Sequence, residues 1–434
     1  MIATTASLQT YAEDYQRHRA TLPGRHIPWL RDHRDAAMAR AVEFGLPTRK
    51  NEAWKYTNLQ PLVDTSFTLA DEPTAVRLDQ ISGYVLEDAH RLTFVDGNFA
   101  PHLSVLGNLP PGVQITSLAQ VLDTDPETAK TWLGRQSANG EHVGIALNAA
   151  FLQDGVFLRV AQDAMLERPL HLLFLGAGAG MNSAVRNLII LAPGSRATIF
   201  ESYFSLTDAA HFTNTLSEVY ASPNASVELT TLAQENNRAL HLGALFCTLE
   251  QGASLQHNNF ALGGALVRRD MQINLNGSMA SATLNGLHMT RETQHVDNQI
   301  FVDHRVPHCT SRQLYKGVLA DRSRTAFGGR IVVQPGAQKT DAKQANHNLL
   351  LSKDTDANSK PQLEIYADDV KCAHGATVGR LDEQALFYLQ SRGIGIDEAR
   401  VALVQAFAQE VVNNVAHASI RDWIGREVEH QRVL

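Results

Sequence analysis

Cys372 and His374 stand two residues apart in the run Lys371-Cys372-Ala373-His374-Gly375-Ala376-Thr377-Val378-Gly379. A thiolate and an imidazole are ligand types suited to iron–sulfur chemistry. On an extended strand a spacing of two puts both side chains on one face. The alternative for the same pair is a small buried Cys and a hydrogen-bonded His at the end of a β domain. A second group, His304, His308 and Cys309, encloses Pro307. H-x3-H makes a ligand pair on a helix, and Pro307 argues against a helix there.

Other chemistries find no motif. The three cysteines, Cys247, Cys309 and Cys372, form no CxxC. That excludes a disulfide framework, a zinc ribbon and a self-contained ferredoxin-type site. There is no G-x-S-x-G, no H-E-x-x-H and no G-x4-G-K-[ST], so no hydrolase elbow, zincin helix or phosphate-cradling P-loop is written here. The Gly-rich run from Gly176 to Gly180 reads as a turn, and Arg322, Arg324, Arg330 and Lys316 as a solvated basic face.

The chain has 434 residues, 44% of them hydrophobic and 19% charged, with a formal net charge of −7. This is an ordinary globular composition with room for a large core. The acidic balance and the lack of a basic stripe exclude nucleic acid as a partner. The opening residues carry no apolar signal core, and the longest apolar run, Pro169 to Met181, is too short and Gly-rich to span a bilayer. A cytoplasmic location without membrane contact is expected.

The elements that must position the pair change character along the chain. Residues 1–90 read as helical, with helix formers at amphipathic spacing in 6–20 and 32–44. The segment Pro47 to Leu59 is basic and aromatic, and reads as a helix edge packing Trp54 and Tyr56 onto a core. From Arg91 onward short β-branched strands alternate with turns. Pro193-Gly194-Ser195-Arg196-Ala197 is echoed at Pro223-Asn224-Ala225, at Gln251-Gly252-Ala253 and more loosely at Asn276-Gly277-Ser278, with offsets of 30, 28 and 25 residues. Turn-then-strand repeats without intervening helices predict a β-solenoid. Leu351 to Pro361 reads as an exposed polar loop. Past Gly379 the pattern turns helical again. Asp382 is an N-cap candidate, Gly393 a stop, and Val401, Val404, Phe407, Val411 and Val415 form one apolar stripe. Such a tail, 382–433, can cap the open strand edge or dock a partner.

These residues carry a resemblance to the SufB/SufD family. The C-terminal stretch Cys372 to Leu389 resembles it, as does Pro307-His308-Cys309-Thr310-Ser311-Arg312-Gln313-Leu314-Tyr315-Lys316-Gly317. Arg49-Lys50-Asn51-Glu52-Ala53-Trp54-Lys55-Tyr56-Thr57 resembles its SufD branch, and Gly375 points the same way, since the SufB branch typically has Glu there. Cys309 departs from the family, which often has Thr.

The resemblance implies a mainly β fold: a right-handed parallel β-helix over 91–375, between an N-terminal helical region, 1–90, and a C-terminal one, 376–434. It implies a non-catalytic scaffold subunit that pairs with a SufB-like paralogue and binds a SufC-like ATPase through its C-terminal helices. There Asp382, Phe387, Tyr388, Phe407 and Trp423 are the docking candidates. The assembly would build iron–sulfur clusters from persulfide sulfur supplied by a SufS desulfurase and its carrier. His374 is the implied cluster ligand at the SufB interface, with Cys372 beside it. No cofactor is expected to stay on the isolated chain. A transient Fe–S cluster, and a flavin as a further candidate, would belong to the complex, and a homodimer to the chain alone. Two rivals remain: a purely structural solenoid subunit, and a β-helix enzyme acting on polysaccharides.

Overall fold

The computed structural model describes residues 2–72, 74–137 and 142–431, with side chains from Leu8 onward. The last residues of the expected helical tail, 432–434, lie outside the described residues.

Two sheets face each other along the molecule. Asn182–Leu191, Phe212–Ala221, Leu240–Leu249, Leu266–Leu275, His295–His304, Arg324–Val333 and Asp356–Ile365 run in one. Leu170–Gly176, Arg196–Ser205, Ser226–Gln234, Ser254–Ala261, Ser281–Thr290, Thr310–Leu319, Asp341–Leu350 and Lys371–Gly379 run in the other. Strands go to the two sheets alternately, and each pairs in parallel with the strand one coil away. This is a parallel β-solenoid of about eight coils. Antiparallel strands close the start: Asn98–Phe99 pairs with His90–Val95, and Val113–Ser117 with Val156–Val160.

The ladders stay in register, so side chains stack in columns. Ile189, Val219, Cys247, Ile273, Val302, Ile331 and Leu363 form one such column between the sheets. Each buried aliphatic rung contributes about 1.5–3 kcal/mol. Cys247 is one apolar rung among these, and burial pushes its thiol far up. The turns repeat with the coils. Asp163, Gly194, Asn224, Gly252, Met279, His308 and Lys339 all have φ between 57° and 72°. The turn echo is therefore real, but its fourth member is Met279 rather than Gly277. Gly277 is needed for space, because a Cβ there would lie 1.9 Å from the backbone N of Gln251.

Three elements differ from the sequence reading. Helices Leu118–Thr124, Pro126–Trp132 and Val143–Phe151 interrupt the strands expected from Arg91. Ser117 caps the first and Asp125 the second through side-chain oxygens, a local signal that the turn echo, which starts later, could not report. The polar stretch Leu351 to Pro361 is largely strand, since Asp356–Ile365 pairs residue by residue with Arg324–Val333. At the end of a stack a strand need not be apolar, because its neighbour supplies the backbone partners. The tail does not cap the terminal edge. Ile396–Val412 and Ala418–His430 lie on the outer face of the ten-stranded sheet, where Val404, Val411, Ile420, Trp423 and Ile424 pack with Phe200, Phe204, Leu287 and Val318. Polar ties run along the same contact: Lys316 to Glu410, Gln256 to the Asn414 carbonyl, Gln234 to Glu427, and Glu228 accepting from the Ala416 N–H.

The N-terminal helices cover the other sheet. Trp54 is buried with the Arg268 guanidinium 3.6 Å from its ring centroid. Arg268 also donates to the Ala53 carbonyl at 2.8 Å, to Asp270 at 2.8 and 2.9 Å and to Asp297 at 2.5 Å. Thr57 joins through Asp297 and the His295 ring. Burial opposes the Arg268 charge, and the two carboxylates more than offset it. Trp54 thus packs as expected, while Tyr56 stays 40% exposed. No helix among the described residues is long and apolar enough to cross a membrane.

Burial makes folding pH-sensitive. It drives His171 and His257 down to about 3, and His33, His288 and His304 down to about 4. Below about 6.5 the unfolded chain takes up protons that these folded rings refuse, so stability falls with pH. Each ring removes up to about 1.4 kcal/mol per pH unit until its folded pKa is reached. Asp154, raised by burial to about 7, and Asp14, also raised by burial, work in the opposite sense, but His142, His241 and His295 are lowered by burial as well. The denaturant midpoint should therefore be clearly lower at pH 5 than at pH 7.5, and equal midpoints would refute this account.

Candidate functional site at the open end of the solenoid

Lys371–Gly379 is the last strand of the ten-stranded sheet and pairs only with Asp341–Leu350. Its other edge, like that of Asp356–Ile365, has no neighbour among the described residues. Such an edge offers a row of unpaired backbone N–H and C=O groups.

The register decides which way the pair faces. Cys372 continues the column Val227, Leu255, Ala282, Ser311, Ala342. His374 continues the column Leu229, His257, Leu284, Gln313, Gln344. These columns face the interior. The Gln344 amide reaches the opposite sheet, where a Cβ on Gly329 would lie 2.0 Å from Gln344 Nε2. Cys372 and His374 therefore share the inner face, at the mouth of the solenoid. Cys372 is half-buried at the margin of the core, and His374 is exposed. Burial pushes the Cys372 thiol up, only partly offset by the Ala342 N–H. It is a protonated thiol at neutral pH and needs a cation to become a ligand. A Cβ on Gly375 would meet nothing within 4 Å, so space does not demand glycine there.

No group of three or more His, Cys, Asp or Glu side chains that could hold a metal ion occurs among the described residues. Cys372 and His374 would need ligands from another chain. The second sequence candidate is not assembled. His304 is buried and bonded to Ser311 Oγ at 2.9 Å, His308 occupies a turn at φ 64°, and Cys309 is buried against the Gly277 carbonyl. Lys316, read as part of a solvated basic face, is instead buried and bonded to the tail. On the outer face Asp303 and Glu364 are paired with Arg305 and Arg330 at 2.7 Å each.

The docking candidates divide. Asp382 caps helix Glu383–Ser391 by accepting from the Gln384 N–H. That helix buries none of its residues, and Phe387 and Tyr388 are 73% and 58% exposed. Phe407 is half-buried beneath Lys316, whose ammonium lies 4.2 Å from the ring centroid. Trp423 is buried, 5.5 and 5.9 Å from the Phe200 and Phe204 rings. It is occupied by its own solenoid. Sequence reasoning missed Gln313 and Gln344, which only the register brings under His374. It also missed Arg268 with its two aspartates, whose signal would have been charged residues inside apolar strands.

Cys247 and Cys309 show no exposure and Cys372 is the accessible thiol. Native chain should take up about one maleimide, at Cys372, and three in denaturant. Cys372→Ser should abolish the native reaction, and rapid labelling of Cys247 would contradict the structure.

The family model described as "SUF system FeS cluster assembly, SufBD core domain" matches residues 174–407, and "SufBD protein N-terminal region" matches residues 5–172. The iron–sulfur cluster assembly protein SufD of Escherichia coli is 34% identical over 392 residues, covering 89% of each chain. A SufBD family protein of Synechocystis is 29% identical, covering 93% of this chain and 92% of its own. The Bacillus subtilis SufD is 25% identical, covering 93% and 94%. With both halves matched by consecutive domain models and most of its length aligned to such a relative, the chain belongs to the SufB/SufD family of iron–sulfur cluster assembly proteins and is SufD-like.

Proposed function

We propose that this chain is a non-catalytic scaffold subunit for iron–sulfur cluster assembly, joined edge to edge with a SufB-like paralogue. The observation that carries this is the position of Cys372 and His374: both on the inner face of a terminal strand whose outer edge is unpaired. A partner strand added to that edge would bring its own side chains alongside His374. Neutral imidazole is a competent iron ligand, and a lone imidazole cannot hold a cluster without thiolates from elsewhere. The raised Cys372 thiol gives it the lesser role. Iron and persulfide sulfur are the cargo, the sulfur supplied by a cysteine desulfurase and its carrier. Without its partner, the same edge is free to pair with a second copy. A flavin would belong to the complex.

The helix Glu383–Ser391 is the docking element for a SufC-like ATPase. It is the part of the tail that the solenoid does not use. Truncation from Asp397 is an unsuitable test, because it would strip Trp423 and Ile424 from Phe200 and Phe204. Phe387→Ala with Tyr388→Ala is the better one. Exposed positions change folding stability by about 0.5 kcal/mol or less, whereas buried aromatic anchors of an interface contribute about 2 kcal/mol or more. Loss of ATPase co-purification with an unchanged melting curve is expected, and full retention would remove the assignment.

For the cluster site, His374→Ala in the complex should reduce cluster yield about tenfold or more, with complex formation intact. Cys247→Ala should cost only stability, about 1 kcal/mol. Cluster assembly at the wild-type rate in His374→Ala, in an intact complex, would leave the chain a purely structural subunit.

A further inference from the structure

One position below His374, the interior column is polar without need. Gln344 is 3% exposed and spends Nε2 on Gln313 Oε1 at 2.8 Å. Its own Oε1 has no partner, and neither does Gln313 Nε2. An unsatisfied buried polar group is destabilising, and an apolar residue of the same shape avoids that cost. The stack accepts apolar rungs freely at this level, since the neighbouring columns carry Ala342 and, on the facing sheet, Ile331. Gly329 opposite leaves the room that the Gln344 amide fills. Across the mouth, Ser359 continues the column Asn298, Phe327 on the last strand of the facing sheet. Its Oγ is also buried without a partner. The unpaired oxygens of Gln344 and Ser359 thus lie in the last two coils, as do those of Asp341 and Asn348, and Gln344 is the one directly beneath His374 in the ladder.

We propose that Gln344, assisted by Ser359, is a positioning residue of the His374 site, its free amide oxygen holding the water shell of a divalent metal ion delivered there as substrate. This rests on the reading of His374 as an iron ligand. Amide and hydroxyl oxygens accept from metal-bound water, whose protons the metal charge makes strong donors. Imidazole then takes the direct coordination position.

The test is Co²⁺ titration, followed by its visible absorption, on full-length chain co-purified with its SufB-type partner. In a Gln313→Leu background, so that the Gln313 Oε1 is not left without its donor, Gln344→Leu should weaken Co²⁺ binding about tenfold while keeping or raising the melting temperature, because it replaces unsatisfied amide groups with apolar surface. A merely structural role predicts the reverse pattern. Gln344→Glu should bind at least as tightly as wild type, and Ser359→Ala should weaken binding in the same direction as Gln344→Leu. Wild-type affinity in Gln344→Leu, with binding lost in His374→Ala, would overturn the positioning role and leave the ligand reading standing. Wild-type affinity in His374→Ala would overturn both.

Discussion

Everything in this chain follows from parallel strands stacked in unbroken register. Once each coil lies exactly one strand spacing from the next, a residue's chemistry is fixed by its column. An aliphatic column propagates burial, a small residue opens space for the coil beyond, and one row of turns repeats its left-handed residue from Asp163 to Lys339. The constraint has a boundary. A stack has two ends, and each end strand keeps one row of backbone groups that no neighbour satisfies. Antiparallel strands and helices close the first end here. Among the described residues the second end is left open, and Cys372 and His374 lie on its terminal strand.

How much of this the sequence disclosed depended on whether the signal was local or columnar. The turn echo at Gly194, Asn224 and Gly252 was legible because left-handed positions favour Gly and Asn. The next levels place Met279, His308 and Lys339 in the same conformation, and there residue type alone carries no mark of it. The alternation of a strand put Cys372 and His374 on one face, and the ladder adds that the face is the interior. The polar stretch before Pro361 read as a loop because amphipathic pattern reports burial. At an uncovered end a strand needs no burial to be a strand. The place of Gln344 and Ser359 at the mouth was invisible for a further reason. Nothing in their neighbours marks them, and only a register spanning about 30 residues brings them to the mouth.

Charge is handled differently on the two outer faces. On one, Arg268 is buried under Trp54 and shared between Asp270 and Asp297. Removing Arg268 would leave the buried Asp297 carboxylate without its cation, which is the costly way to break a buried pair. That explains why the segment from Asn51 to Thr57 combines an aromatic, a small residue and a hydroxyl at fixed spacing. On the other face the tail is held by apolar packing with a few polar ties, and its first helix is held by nothing but its neighbour. The tail thus combines an attached part with an exposed one. Trp423 anchors against the solenoid, and Phe387 and Tyr388 stay exposed.

The ties from the tail reach Glu228, Gln234, Gln256 and Lys316, spanning the coils between strands Ser226–Gln234 and Thr310–Leu319. They act as a splint laid across the stack, and the splint stops short of the terminal coil. Order in a one-dimensional array is lost from an unsupported end, because a last unit has one neighbour to hold it where an inner unit has two. The coil that carries Cys372 and His374 is consequently cheaper to open than the coils inside the stack. A strand arriving from another subunit would supply the missing neighbour, so that completing the site and stiffening the end of the solenoid become a single thermodynamic event.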